Sequence, residues 1–149
     1  MEHQKAVQAL KAVELFSGLS DRFVTGLAKA STERQFSAGD VIVRQGNPGV
    51  GIFVIVSGKV KIVKTNESGK RLDLATHGPG EVIGEMSVLD GAQRTADVIA
   101  EEETTCLVLS SWDFNSFMET HPEVALQILP VVVKRFRETN AALTGQHSS

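Results

Sequence analysis

Apolar positions recur at helical spacing near the start of the chain. Ala6, Val7, Leu10, Val13, Leu15 and Phe16 predict a helix over 5–16 that ends at Ser17 and Gly18. Ser20 is a suitable N-cap for a second helix over 21–30, with Asp21 favourable in its first turn and Phe23, Leu27 and Ala30 on one face. From Glu33 to Ser110 the period shortens. Short β-type runs cover 34–36, 41–44, 52–56, 60–64, 72–75, 82–83, 96–99 and 104–109. Between them lie turn signals: Ala38-Gly39-Asp40, Gly46 to Gly49, Ser57-Gly58, Asn66 to Gly69, Gly78-Pro79-Gly80 and Asp90-Gly91. The run 52–56 is apolar on both faces and belongs in the middle of a sheet, whereas Val60 and Ile62 alternate with Lys59 and Lys61. After Ser110 the helical period returns. Ser111 can cap a helix over 112–119, and Pro122 suits the first turn of a last helix over about 122–143.

Many short strands at near-regular spacing point to a sandwich, jelly roll or small barrel, here flanked by helices. The fold expected is mostly β. A β-roll spans 33–110, helices precede it over 1–30 and others follow over 111–143, all in one domain of 149 residues. A hydrophobic fraction of 42% and a charged fraction of 22% are those of a soluble globular protein. The net charge of −3 and pI of about 5.8 leave no basic surplus for nucleic acid. The one cysteine, Cys106, leaves no disulfide within the chain. No apolar run approaches a membrane span and the first residues form no signal peptide, so a cytoplasmic protein without membrane contact is expected.

The chemistry concentrates in 84–96, Gly-Glu-Met-Ser-Val-Leu-Asp-Gly-Ala-Gln-Arg-Thr-Ala. Gly84 lets the backbone approach a ligand closely. A helical turn over 85–89 would present free N–H groups to an anion. The charge of Glu85 would repel a phosphate, so it reads as an acceptor for a neutral hydroxyl such as a ribose 2′-OH beside one. Arg94 supplies the cationic fork that a phosphate needs, and Thr95 adds a hydroxyl.

This segment resembles the phosphate-binding cassette of cyclic-nucleotide-binding domains: Gly-Glu, an apolar stretch, then Arg, a small or hydroxyl residue and Ala. The resemblance extends to Phe36–Gly46, to Ile52–Val60 and to the helical lead-in Leu15–Ser20. It implies that Glu85 accepts from the ribose 2′-OH. Arg94 and the backbone near Gly84, Glu85 and Met86 would hold the cyclic phosphate, with Ser87, Thr95 and Ala96 in the same ligand set. The stretch Lys134 to Asn140 is similar to the part of catabolite-activator-like proteins that reaches the base. On that likeness Thr139 and Asn140 would touch the base, and Arg135 could pair with Glu85. The ligand implied is cyclic AMP, less so cyclic GMP.

Along the last helix Ala125, Leu129, Val132, Phe136, Thr139 and Leu143 make a heptad seam, which suits a two-fold dimer. Pro130 lies inside that helix and should bend or break it, offering either a hinge for a lid or a tolerated kink. His3, His77, His121 and His147 are scattered, with no metal-ligand spacing. His77, beside a glycine turn, could ligate haem but reads more simply as a surface turn. No constellation suggests catalysis. The family's transcription factors continue into a helix-turn-helix domain; here Thr144 to Ser149 is a polar tail. Direct DNA binding is therefore not expected. A non-catalytic sensor acting on an unknown protein partner, or through a dimer, is. The alternative is a degenerate β-roll that binds another effector or none and serves as an interaction module; a metal-dependent cupin enzyme is a remote third.

Overall fold

The computed structural model describes residues 1–47, 51–84 and 95–144. Two short helices, α1 (His3–Lys11) and α2 (Asp21–Ala30), flank a 3₁₀ turn at Glu14–Phe16. Eight strands follow: β1 (Thr32–Phe36), β2 (Val41–Val43), β3 (Gly51–Ser57), β4 (Val60–Thr65), β5 (Arg71–His77), β6 (Val82–Ile83), β7 (Asp97–Ala100) and β8 (Thr104–Ser110). Helices α3 (Ser111–Thr120) and α4 (Pro122–Thr144) complete the described chain. All strand pairs are antiparallel. They form two four-stranded sheets, ordered β1-β8-β3-β6 and β2-β7-β4-β5. This is the β-roll with flanking helices that the sequence predicts. Among the described residues no helix is long and apolar enough to cross a membrane.

The pair β3–β8 divides two cores. Ile52 and Val54 of β3, with Leu107 and Leu109 of β8, face a helical core that contains Leu10, Leu15, Phe16, Leu27, Phe114, Val124 and Ile128. Phe53, Ile55 and Cys106 face the interior of the roll with Phe36, Val43, Val60, Ile83, Val98 and Ala100. The cross-strand register keeps each set together: Ile52 lies opposite Leu109, and Ile55 opposite Cys106. Burial pushes the Cys106 thiol up to about 11, so it packs as a small hydrophobe.

Four local expectations change. The first helix stops at Lys11, because Val13 is extended; the separate 3₁₀ turn then buries Leu15 and Phe16. Ser20 holds the N-cap position of α2 without a side-chain cap bond. Ser110, not Ser111, caps α3: its Oγ accepts from Asp113 N at 3.0 Å. Finally, α4 runs unbroken through Pro130, an exposed position where the lost N–H removes one bond to the Leu126 carbonyl but does not end the helix.

The stripe on α4 also shifts. Val132 packs on the helical core. The solvent-facing row is Leu126 (71% exposed), Leu129, Val133 and Phe136 (70% exposed), spaced three, four and three. Leu129 and Phe136 of the expected seam therefore stand in it, and Ala125 and Val132 do not. The side chains of Thr139 and Leu143 lie outside the described residues.

Gly58 closes the β3–β4 turn at φ +97, and a Cβ there would sit 2.5 Å from both the Glu103 carbonyl oxygen and Thr104 Oγ1. Thr104 is fully buried and its hydroxyl bonds the Glu102 carbonyl at 2.9 Å, so the neighbour cannot yield cheaply. Gly58→Ala should therefore destabilise the domain by about 2 kcal/mol or more. Thermal denaturation should show Tm lowered by roughly 5–10 °C; an unchanged Tm would contradict the close approach.

Candidate functional site

The segment 84–96 connects the two sheets. Strand β6 delivers it from the β3 wall, where Phe53 pairs with Ile83 and Val54 with Val82. Strand β7 receives it in the other sheet, between β2 and β4. Gly84 lies directly after β6 with φ +85, a left-handed conformation that disfavours any side chain. At the far end Thr95 is exposed and Ala96 is buried. Glu85, Met86, Ser87 and Arg94, and with them the expected helical turn over 85–89, lie outside the described residues.

The β7 end is fixed by a polar lock that the sequence did not reveal. Asp97 Oδ1 accepts from Gln45 N at 2.7 Å. The Gln45 side chain in turn brackets Thr65, donating to its carbonyl at 3.0 Å and accepting from its N–H at 2.9 Å. These bonds tie the chain after β2, the end of β4 and the start of β7 into one unit.

The β6 end is fixed by a second lock, in the turn that precedes it. Gly80 N donates to Ile55 O at 2.9 Å and Ile55 N to Glu81 O at 3.0 Å, so the turn hangs on β3. One Glu81 carboxylate oxygen accepts from Gly78 N at 3.0 Å, and the other meets His77 Nδ1. Partial burial pushes the Glu81 carboxyl upward, but the hydrogen bonds from His77 and from the Gly78 N–H outweigh it and hold the group below the ordinary carboxylate value. An ionised carboxylate only accepts, so His77 Nδ1 is the donor in that contact. His77 and Glu81 stand four apart around Gly78-Pro79-Gly80, a pair that the sequence reading did not single out.

Helix α4 brings the remaining candidates. Arg135 is half-buried and lines a cavity of about 320 Å³ with Glu14, Leu15, His77, Glu81 and Val82. Thr139 lies one helical turn beyond Arg135, and Asn140 is exposed. The expected partner of Arg135, Glu85, is outside the described residues; Glu14 and Glu81 are the carboxylates that share its cavity. Among the described residues no cluster of His, Cys, Asp or Glu could hold a metal ion.

Comparison with known proteins bears on the whole arrangement. The sequence profile of the cyclic nucleotide-binding domain matches residues 33–121. The cyclic AMP receptor protein of Thermus thermophilus is 34% identical over 134 residues, which is 90% of this chain. The chain spans 62% of the length of that protein. The crystal structure of the N-terminal domain of a transcriptional regulator from Streptomyces coelicolor superposes with a TM-score of 0.79 at 35% identity, over 95% of this chain and 98% of that one. The regulatory subunit of a cAMP-independent protein kinase A from Trypanosoma brucei superposes at 0.76 with 25% identity, over 91% of this chain and 47% of that one. A profile match across the roll and into the helix that follows it, together with two packed sheets in the same arrangement, means that the chain belongs to the cyclic nucleotide-binding domain family, of the catabolite-activator type.

Proposed function

We propose that this chain is a single, non-catalytic sensor domain that binds a cyclic nucleotide, cyclic AMP in preference to cyclic GMP. The nucleotide is a signal and not a substrate. The reading rests above all on the joining of the two sheets by a segment that begins at a left-handed Gly84 and carries Glu85 and Arg94. In it the N–H groups after Gly84 and the Arg94 guanidinium hold the cyclic phosphate, with Met86, Ser87, Thr95 and Ala96 around it. Glu85 accepts from the ribose 2′-OH. Thr139 and Asn140 approach the base from α4, and Arg135 approaches Glu85. The Trypanosoma relative is described as cAMP-independent, so the fold alone does not fix the ligand.

The output follows from α4. A ligand that touches both the roll and this helix binds the form with α4 folded over the pocket better than other forms, and so enriches it. The apolar row Leu126, Leu129, Val133 and Phe136 stands on the same helix, exposed and at heptad spacing. It pairs with its copy in a homodimer, through which the ligand's effect reaches a protein partner.

Displacement of a fluorescent cyclic nucleotide tests the site. Arg94→Ala should weaken binding by roughly 10- to 100-fold, the size expected for losing a charge-assisted bond to phosphate. An unchanged affinity would remove the cassette assignment. The parent protein should bind the 2′-deoxy analogue about fivefold or more weakly, and Glu85→Ala should erase that difference; equal binding of both ligands by the parent would deny Glu85 its role. Phe136→Glu should convert the nucleotide-bound dimer to a monomer in sedimentation velocity while leaving the thermal midpoint nearly unchanged. A parent that sediments as a monomer with ligand bound would contradict the dimer.

A further inference from the structure

Strand β5 stands open. Its residues from Arg71 to Thr76 are all exposed, and among the described strands it pairs with β4 alone. Among the described residues the large apolar side chains left exposed on the roll are Leu72 (43%) and Leu74 (54%). The strand ends beside α4: His77, its last residue, and Arg135 of α4 line the same cavity. Phe136, the residue after Arg135, belongs to the exposed row on α4. Leu74 lies three extended residues from His77, about 10 Å along the strand. The apolar pair on β5 and the apolar row on α4 therefore lead away from one cavity.

The row on its own makes a small contact. Buried at roughly 100 Å² apiece, Leu126, Leu129, Val133 and Phe136 of two copies would cover on the order of 800 Å². A stable interface covers about 1,200 Å² or more. Leu72 and Leu74 from each copy supply the difference. We propose that the homodimer has a second contact, in which Leu72 and Leu74 of each subunit rest on the α4 helix of the other. The inference rests on the dimer reading above. A helix seated on the α4 row lies about 8–10 Å from α4, and so runs past the strand that ends at the shared cavity. The two-fold axis repeats the contact, so each β4–β5 hairpin closes over the other subunit's helix. A helix is the occupant that β5 suits. Its ladder with β4 is interrupted by a register shift that pairs Ile62 with Ala75 and Val63 with Asp73, which leaves Leu74 without an opposite residue. A bulged edge is a poor template for an added strand, but it still offers side chains to a helix. The contact also joins α4 of one subunit to the strand that leads, through Gly78-Pro79-Gly80, into β6 of the other.

Sedimentation velocity with and without cyclic AMP, combined with photo-crosslinking, tests this. Leu74→Glu and Leu74→Lys should each weaken the dimer by roughly tenfold or more, because a lost apolar contact does not depend on the sign of the new charge. The side chain is exposed in the single chain, so both variants should keep the parent's far-UV circular dichroism. The contacted element is then identified with Leu74→benzoylphenylalanine, irradiated in a mixture of isotope-labelled and unlabelled chains. Cross-links should join this position to α4 peptides of the chain with the other label. A dimer that is unchanged in both Leu74 variants but lost in Phe136→Glu overturns the β5 contact and leaves the dimer. So do cross-links that are absent or confined to their own chain while the protein sediments as a dimer. A parent that is monomeric with and without cyclic AMP overturns the dimer reading, and this inference with it.

Discussion

The structure depends on one wall, the β3–β8 pair, being apolar on both faces. Most antiparallel pairs in small domains keep one face for water. Here Ile52, Val54, Leu107 and Leu109 are covered by helices, while Phe53, Ile55 and Cys106 are covered by the roll. Neither core could exist without the other: removing the helices would expose one row and opening the roll would expose the second. Because the side-chain period of a strand is two, a slip of one residue in this pair would exchange the rows and place each against the wrong core. The helices at both ends of the chain are thus held against the same strands that form the roll. A change in the roll is mechanically adjacent to α4 without any long relay.

The wall also explains where the candidate site lies. Strand β6 pairs only two residues with β3, and the chain then leaves that sheet for the other. The segment is thus anchored at its two ends on different sheets. Both anchors are polar locks built from side chains. Gln45 and Asp97 secure one end. Glu81 and His77 secure the other.

Most of the strands were legible because they are short β-type runs set off by glycine-bearing turns, and no helical pattern competes with them. Val82 and Ile83 were found to the residue. The central place of 52–56 followed from its having no polar face. Details set by tertiary packing were not legible. The break at Val13 follows from Leu15 and Phe16 being drawn into the helical core, an effect that no local propensity encodes. The row on α4 was misjudged because Val132 and Val133 are chemically alike; only the position of the core distinguishes the buried one from the exposed one. Pro130 lies at an exposed position, where one missing bond is outweighed by the packing of Val124 and Ile128 before it and Val132 after it. In the site, the motif residues could be named because they are close in sequence. The bond from Gln45 to Asp97 joins residues 52 apart and has no sequence signature.

The central claim is that the roll serves a cyclic nucleotide. Calorimetric titration of nucleotide-stripped protein with cyclic AMP and cyclic GMP in parallel tests it most directly. The account predicts micromolar or tighter binding with one site per chain, and tighter binding of cyclic AMP. Heats of dilution alone for both nucleotides would contradict it and leave the roll as a scaffold for another effector.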